Sequence, residues 1–141
     1  MKRILVLICV ATLFFVGTAF SEPIEFPNGI IVDVAPGWSY EGEGDSVILL
    51  AEDESCAIAI VISKAGDLKS SEEAAKLLSK EHNGTEPEEI DDDAYEYNFT
   101  NEAGINTRVF VGIEDGKLKV LSITGDHKDV DGMINSITEV K

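Results

Sequence analysis

Short segments rich in β-branched and aromatic residues, each closed by a turn signal, fill most of the chain beyond residue 29. Segments of this kind predict β-strands, and the short turns between them predict antiparallel pairing. The predicted strands of the first half are Ile30 to Val34, a weaker Trp38 to Gly42, Ser46 to Ala51, and Cys56 to Ser63. Those of the second half run from Tyr95 to Phe99, from Ile105 to Ile113 and from Leu118 to Thr124. The chain is therefore expected to fold around an antiparallel sheet.

The strongest hairpin signal is Asp115-Gly116, which tolerates the positive φ angles that a tight turn needs.

Two stretches of the chain lack a strand or helix pattern. Residues Glu22 to Asn28 contain two prolines and are predicted to be an irregular lead-in. Residues Glu86 to Asp93 are acidic and almost devoid of apolar side chains, and they are predicted to form a solvated loop.

Two segments have helical periodicity. Ser70 precedes Glu73 by three residues, which is a capping-box pattern, and Asn83-Gly84 is a plausible stop. One side of this first helix would carry Ala74, Leu77, Leu78 and Glu81. The second helix would have an apolar stripe of Val130, Met133, Ile134 and Ile137. The order strands, helix, strands, helix predicts an α+β fold, in which a mostly antiparallel β-sheet has two main helices packed on it.

The first residues have the features of a secretory signal peptide. Lys2 and Arg3 precede an apolar run from Ile4 to Val16, and small residues follow. Cleavage after Ala19 and cleavage after Ser21 both satisfy the small-x-small rule, and the sequence does not choose between them. The run is shorter than the roughly 20 residues that span a bilayer. We therefore expect residues 1–21 to be removed, and residues 22–141 to form one α+β domain in the periplasm or outside the cell, with no membrane span.

The charge of the chain is strongly negative. Of 11 Lys and Arg residues two lie in the predicted signal peptide, whereas all 27 Asp and Glu residues lie beyond it, so the processed chain carries a net charge of −18. Such a surface repels nucleic acid and anionic lipid, which are therefore not expected as partners. It favours solubility, and it is compatible with cations or with a basic patch on another protein.

The residues that carry nucleophilic or metal chemistry form no known motif. Cys56 is the single cysteine after the signal peptide, so no internal disulfide can form, and its apolar neighbours indicate a buried packing role. His82 and His127 lie among polar residues and are expected to be exposed. Gly-x-Ser-x-Gly, Cys-x-x-Cys and His-Glu-x-x-His are all absent. No catalytic residue and no cofactor is assigned, although so many carboxylates leave a small carboxylate-dependent hydrolase open as an alternative.

Weak binding of calcium is a further alternative because of the acidic stretch. Its candidate ligands are Glu88, Glu89, Asp91, Asp92 and Asp93. An EF-hand loop that began at Asp91 would need glycine at its sixth position, where Glu96 stands. Any binding there would therefore be adventitious.

Trp38 is the only tryptophan, and it follows Pro36-Gly37 directly. Its indole could contact a partner protein, as exposed tryptophans at interfaces do. It could instead close one end of the hydrophobic core, and this second interpretation is the favoured one.

Three parts of the chain resemble the PsbP/DcrB-like group of exported small domains. They are the segment Val32 to Trp38, the first helix from Ser70 to Leu78, and the last hairpin at Asp115-Gly116-Lys117 with the closing helix. The resemblance implies a PsbP-like α+β fold without catalysis, since the group includes an extrinsic photosystem subunit, bacterial envelope proteins and a nuclear-transport adaptor. It implies an accessory module that contacts another envelope protein. The identity of that partner and the oligomeric state stay open.

Overall fold

A computed structural model describes residues 21–91 and 93–140 of the chain. The described part contains ten strands, which fall into a three-stranded and a seven-stranded sheet, and two helices. The strands are β1 (Glu22–Glu25), β2 (Ile30–Val34), β3 (Trp38–Glu43), β4 (Ser46–Ala51), β5 (Cys56–Lys64), β6 (Glu88–Asp91), β7 (Ala94–Thr100), β8 (Asn106–Glu114), β9 (Lys117–Gly125) and β10 (Thr138–Glu139). The helices are α1 (Ser71–His82) and α2 (Val130–Ser136). This architecture confirms the predicted α+β class.

The predicted signal peptide, residues 1–21, lies outside the described residues except for Ser21. Among the residues that are described, neither helix has the length and apolarity required to cross a membrane. Contacts along the chain group the described residues into two compact units. The first unit comprises residues 21–57 and 126–140, and the second comprises residues 58–125.

The three-stranded sheet of the first unit has the order β1-β2-β10, with both outer strands antiparallel to β2. Strand β1 shows that the predicted irregular lead-in was wrong. Its proline, Pro23, is accommodated because β1 is an edge strand, where a residue without an N–H group need not break the pairing. Strand β10 was not predicted, because two paired residues leave no periodic pattern in the sequence.

Helix α2 packs on β2 in the first unit, and the contact joins distant parts of the chain. Val130 and Met133 are buried, as the predicted stripe requires. The backbone N–H of Asp33 donates to Ser136 Oγ at 2.9 Å, and that hydroxyl donates to Met133 O at 2.6 Å. The helix ends one residue before Ile137, whose extended backbone forms the C-cap, so the predicted stripe was one residue too long.

The β3–β4 hairpin of the first unit has one buried and one exposed face. Alternate residues of both strands are buried on its inner face, from Trp38 to Gly42 and from Val47 to Ala51. Gly42 is required there, because a Cβ atom would lie 2.8 Å from Phe26 Cδ1. The outer face carries Ser39, Glu41, Glu43, Ile48 and Leu50, all exposed. Strand β5 continues the chain with alternate buried residues, among them Cys56, which confirms the buried position predicted for this cysteine.

The second unit contains an antiparallel meander in the order β9-β8-β7-β6. The β8–β9 turn has φ angles of +53° at Asp115 and +76° at Gly116, which confirms the predicted tight turn. Strand β6 corrects the expectation of a loop at residues 86–93. Its four side chains are all exposed, so it lacks the polarity alternation by which half-buried strands are recognised.

Helix α1 packs on β7 and β8 and completes the core of the second unit. The Glu73 N–H donates to Ser70 Oγ at 3.1 Å, which confirms the predicted cap. The core cluster consists of Ala74, Ala75, Tyr97, Val109 and Val111. Leu77 was predicted to lie on the same side of the helix as Ala74, but it is 49% exposed whereas Ala74 is buried, because the small residues of α1 lie closest to the sheet.

Candidate functional site

An open depression of about 650 Å³ lies in the first unit and is the candidate site for polar chemistry. We call it the acidic pocket. It is lined by Pro36, Gly37, Glu52, Asp53, His127, Lys128 and Asp129. These residues come from the turn after β2, the turn after β4, and the segment that leads into α2. The Glu52 N–H donates to Gly37 O at 2.8 Å and ties the first two turns together.

Trp38 lies beside the acidic pocket and holds two of its lining residues. Its indole is 4% exposed, and Nε1 donates to Asp129 Oδ2 at 3.1 Å. The ring of His127 meets the indole edge-on, with centroids 5.1 Å apart and planes at 77°. Edge-to-face contacts of this kind are favourable because the positive ring edge meets a negative ring face. The carboxylate and the imidazole are thus positioned by a buried tryptophan.

The hydrogen bond at His127 determines which of its ring nitrogens carries the proton. The backbone N–H of Asp129 donates to His127 Nδ1 at 3.1 Å, so the neutral ring carries its proton on Nε2. A catalytic histidine that takes a proton at Nε2 needs the opposite tautomer, with Nδ1–H donating to a carboxylate. The side-chain oxygen Oδ2 of Asp129 is 3.5 Å from Nδ1 and is already an acceptor for the indole. The pair is therefore not arranged as an acid–base relay.

Asp53 is a lining residue whose carboxylate accepts two hydrogen bonds from Ser55. The Ser55 hydroxyl donates to its Oδ1 at 2.6 Å and the Ser55 N–H at 3.0 Å. These hydrogen bonds, with a smaller contribution from His127, lower the pKa of the Asp53 carboxyl. A general acid needs a carboxyl whose pKa is raised toward the working pH. Asp53 is thus suited to accept hydrogen bonds or face a cation, and poorly suited to donate a proton.

The acidic pocket was only partly visible in the sequence. Trp38 was singled out in the sequence. It is buried, and its role as a partner contact stays a prediction. His127 was expected to be exposed, but its side chain is only 18% exposed because Trp38 covers one edge. Asp129 was missed as a partner of Trp38, since the two residues are 91 positions apart and no local pattern connects them.

The other histidine, His82, lies in an aromatic cluster of the second unit. Its ring stacks on Phe99, with centroids 4.2 Å apart and planes at 13°. Its Nδ1 is 2.8 Å from Tyr97 Oη. Burial, with a smaller contribution from Glu81, raises the pKa of Tyr97 to about 12, so the phenol stays protonated while it shares this hydrogen bond with the imidazole. The cluster closes the end of α1 onto β7, which is a structural role.

The chain packs tightly around that cluster. A Cβ atom on Gly84 would lie 2.8 Å from Asn98 O and 2.9 Å from Tyr97 Cδ1. The preceding residue, Asn83, takes the left-handed conformation that ends α1, with φ of +56°. The predicted helix stop at Asn83-Gly84 is therefore confirmed. Asn83 has the positive φ angle that ends the helix, and Gly84 is the residue that lies close to its neighbours.

The predicted calcium ligands lie along and just after the edge strand β6. Glu88, Glu89 and Asp91 belong to the strand, Asp93 follows it with φ of +57°, and Asp92 lies outside the described residues. Glu88 stands opposite Glu96 of β7. Within residues 21–91 and 93–140, no group of three or more histidine, cysteine or carboxylate side chains could hold a metal ion. Binding of calcium at this stretch stays a prediction.

The outer face of the β3–β4 hairpin holds two large apolar side chains in exposed positions. Ile48 is 51% and Leu50 is 41% exposed, and both point outward from β4. Their cross-strand neighbours on β3 are Glu41 and Ser39. The other large apolar side chains that are exposed in the described part of the chain are Leu77 on α1, Ile90 on β6, Ile105 just before β8 and Val140 just after β10.

Comparison with known proteins identifies the fold. No family model and no curated protein sequence matches the chain. The solution structure of cyanobacterial PsbP from Synechocystis sp. PCC 6803 is similar at a TM-score of 0.57 and 14% identity, covering 88% of this chain and 95% of that chain. The Ran-binding protein Mog1p of Saccharomyces cerevisiae is similar at a TM-score of 0.58 and 12% identity, covering 88% and 97%.

A protein from Bacteroides thetaiotaomicron is similar at a TM-score of 0.56 and 15% identity, and this chain spans 50% of its length. At such identities the likeness concerns the backbone and carries no residue roles across. The chain has a PsbP-like α+β fold.

Proposed function

We propose that the protein is an exported, non-catalytic binding module that contacts another protein of the cell envelope. The observation that carries the proposal is the outer face of the β3–β4 hairpin, where Ile48 and Leu50 are exposed side by side on a sheet face. The buried centre of a protein interface is more apolar than its rim, and neighbouring apolar side chains exposed on a sheet face could supply such a centre.

The fold supports this role by analogy. Mog1p, whose backbone is similar to this one, is named for binding the protein Ran. A shared fold does not transfer a partner, but it shows that a scaffold of this shape can serve as a protein-binding module. Export and membership of the PsbP/DcrB-like group rest on the sequence alone, on the signal-peptide pattern of residues 1–21 and on the three resembling segments.

The alternative, a carboxylate-dependent hydrolase, would act in the acidic pocket, where Glu52, Asp53 and Asp129 supply carboxylates. Three features of the pocket oppose it. The pKa of Asp53 is lowered and not raised, Asp129 accepts from the Trp38 indole, and Nδ1 of His127 accepts from a backbone N–H. Ser55, the Trp38 indole and a backbone N–H thus engage the side chains of Asp53, Asp129 and His127 respectively, and this geometry favours a structural or binding role for the three.

Affinity capture from the host tests the proposal. The full chain, with a C-terminal tag, is expressed in its own host and recovered after brief cross-linking of intact cells. We expect one envelope protein to co-purify in a fixed ratio, and tagging that protein should recover this chain in return. Recovery of the tagged chain without any co-purifying envelope protein would refute the proposal.

A parallel assay addresses the hydrolase. The purified chain is incubated with chromogenic esters, phosphate esters and glycosides, alongside the variant Asp53→Asn. We expect no turnover by either protein. Turnover by the wild type that the variant lacks would establish the enzyme and refute a purely binding role.

Calcium binding has a separate test. A ligand that binds only the native state must raise its melting temperature. We expect the melting temperature to be unchanged in millimolar calcium, and equally unchanged in the variant Glu88→Gln with Glu89→Gln. If calcium raises the melting temperature of the wild type but not that of this variant, a cation site is assigned to β6.

A further inference from the structure

We propose that the outer face of the β3–β4 hairpin docks a protein surface that has an apolar centre bordered by Lys and Arg residues. This inference rests on the proposed function and deepens it, since it names the surface used and the chemistry of the partner. The face is defined by Ser39, Glu41, Glu43, Ile48 and Leu50, which alternate with buried residues along the two strands.

The register of the hairpin places the apolar side chains together. Leu50 stands opposite Ser39, and Ile48 stands opposite Glu41. Since i and i+2 residues of a strand point to the same side, Ile48 and Leu50 form one continuous apolar strip. The strip is small compared with the roughly 800 Å² per partner of a stable interface, so it would be the centre of a larger contact. Interface centres are where truncation of a side chain costs most binding energy.

The charge of the surrounding segment determines the kind of partner. The described residues of the first unit, which contains the hairpin, include 13 Asp and Glu residues and one Lys residue, Lys128. Three of these acids, Glu41, Glu43 and Asp45, belong to the hairpin, and three more follow β4 directly at residues 52–54. The segment that forms the face thus brings no cation of its own. A partner whose border carries Lys and Arg would complement it and would associate faster through electrostatic attraction.

The same charge argues against the other occupants of such a face. A second copy of the chain would bring an identical acidic segment to the contact, and like charges facing each other are unfavourable. An anionic lipid surface would be repelled for the same reason. A protein with a basic border satisfies both the apolar strip and the charge.

Site-specific photo-cross-linking tests this assignment with the full chain in its host. Photoreactive benzoylphenylalanine is placed at Ile48, at Leu50, or at the control position Leu77. The control is matched, since Leu77 is 49% exposed and Ile48 is 51% exposed, but it lies on α1 in the second unit. We expect positions 48 and 50 to yield an adduct with the same envelope protein, at about five times the yield from position 77 or more.

Two properties of the adduct test the partner's chemistry. The cross-linked peptide of the partner should include Lys or Arg within a few residues of the attachment point. In permeabilised cells, a rise in salt from about 0.05 M to about 0.5 M should lower the yield several-fold, because it screens the charges around the contact. An acidic attachment site, or a yield that salt does not change, would overturn the inference.

The remaining outcomes separate this inference from the proposed function. An envelope-protein adduct that forms equally well or better from position 77 would leave the binding function intact and refute the docking face. An adduct with a second copy of the chain or with lipid would identify a different occupant and refute the stated partner. No adduct from any of the three positions would refute the docking face, and together with failed capture it would refute the proposed function as well.

Discussion

The two units of the protein hold a histidine in different ways. In the second unit His82 lies flat on Phe99 and bonds to Tyr97, which are 17 and 15 residues away in the sequence. In the first unit His127 meets Trp38 edge-on, and Asp129 bonds to the same indole across 91 residues. The second unit is a single continuous segment, residues 58–125, whereas the first is built from two separate parts of the chain, residues 21–57 and 126–140.

The units also differ in how their charges are balanced. In the first unit, the described residues include 13 Asp and Glu residues and one Lys, whereas residues 58–125 include 14 Asp and Glu residues and seven Lys and Arg residues. The second unit forms ion pairs such as Lys76 with Glu72 at 3.0 Å and Lys119 with Glu114 at 2.7 Å. The first unit therefore has the larger excess of negative charge, which is the charge that the proposed docking face would use to attract a basic partner.

The largest expected effect is at the core of the second unit. Tyr97→Ala should lower the free energy of unfolding by about 3–5 kcal/mol, because it empties the space of a side chain that is 1% exposed. Urea unfolding followed by circular dichroism measures the change. Tyr97→Phe is the control: it keeps the ring and loses only the hydrogen bond to His82, so its loss should be about 1 kcal/mol. A loss below 1 kcal/mol for the alanine variant would contradict the packing described for this unit.

Alkaline pH should weaken the same unit through Tyr97. Its pKa is raised from 10.0 to about 12, so the folded state keeps the phenol proton in a range where the unfolded chain loses it. The resulting stabilisation is complete below pH 10 and is lost as the pH rises to about 12; it amounts to roughly 2–3 kcal/mol. Unfolding curves recorded across this range should show the loss in the wild type and a smaller loss in Tyr97→Phe. Equal losses in both proteins would assign the pH dependence to other groups.

Replacing one glycine in each unit with alanine is expected to change the free energy of unfolding in opposite directions. Gly84→Ala should lower the free energy of unfolding by about 2 kcal/mol, since its Cβ would meet backbone and ring atoms at 2.8–2.9 Å. Gly132→Ala, in α2, meets nothing within 4 Å and should raise the free energy of unfolding by up to about 1 kcal/mol. Thermal melts of both variants provide the comparison. A neutral Gly84→Ala would show that the end of α1 is packed less closely than described.

A smaller loss of stability than at Gly84 is expected at the acidic pocket. Trp38→Phe removes the Nε1–H donor to Asp129 and should lower the free energy of unfolding by about 1.5 kcal/mol. Asp129→Asn keeps an acceptor for the indole and should lower the free energy of unfolding by less than Trp38→Phe does. If both variants unfold like the wild type, the indole does not hold the segment that leads into α2.

Local signals explain which parts of the fold were predictable. The Asp115-Gly116 turn and the Ser70 cap depend on neighbouring residues, so the sequence alone predicts them correctly. Strand β1 was missed because Pro23 is normally a strand breaker, yet an edge position tolerates it. Strand β6 was missed because all four of its side chains face water.

The candidate sites depend on contacts that no local pattern encodes. The bond between Trp38 and Asp129 joins residues 91 positions apart, so the acidic pocket could not be assembled from the sequence. The outer face of the hairpin was hidden for another reason. Ile48 and Leu50 lie in the apolar run Val47 to Ala51, and composition does not tell which alternate residues of such a run face solvent.

The most direct test of the central claim compares the two faces of the first unit in the capture assay. The variant Ile48→Thr with Leu50→Thr places a β-branched side chain, which suits a strand, at both positions and removes the apolar strip. The comparison proteins are Asp53→Asn in the acidic pocket and Leu77→Thr on α1. The account predicts that the β4 variant retains its melting temperature and recovers about one-tenth of the partner, whereas the two comparison variants recover it within about twofold. Full recovery by the β4 variant, with loss in Asp53→Asn, would contradict it and would make the acidic pocket the functional site.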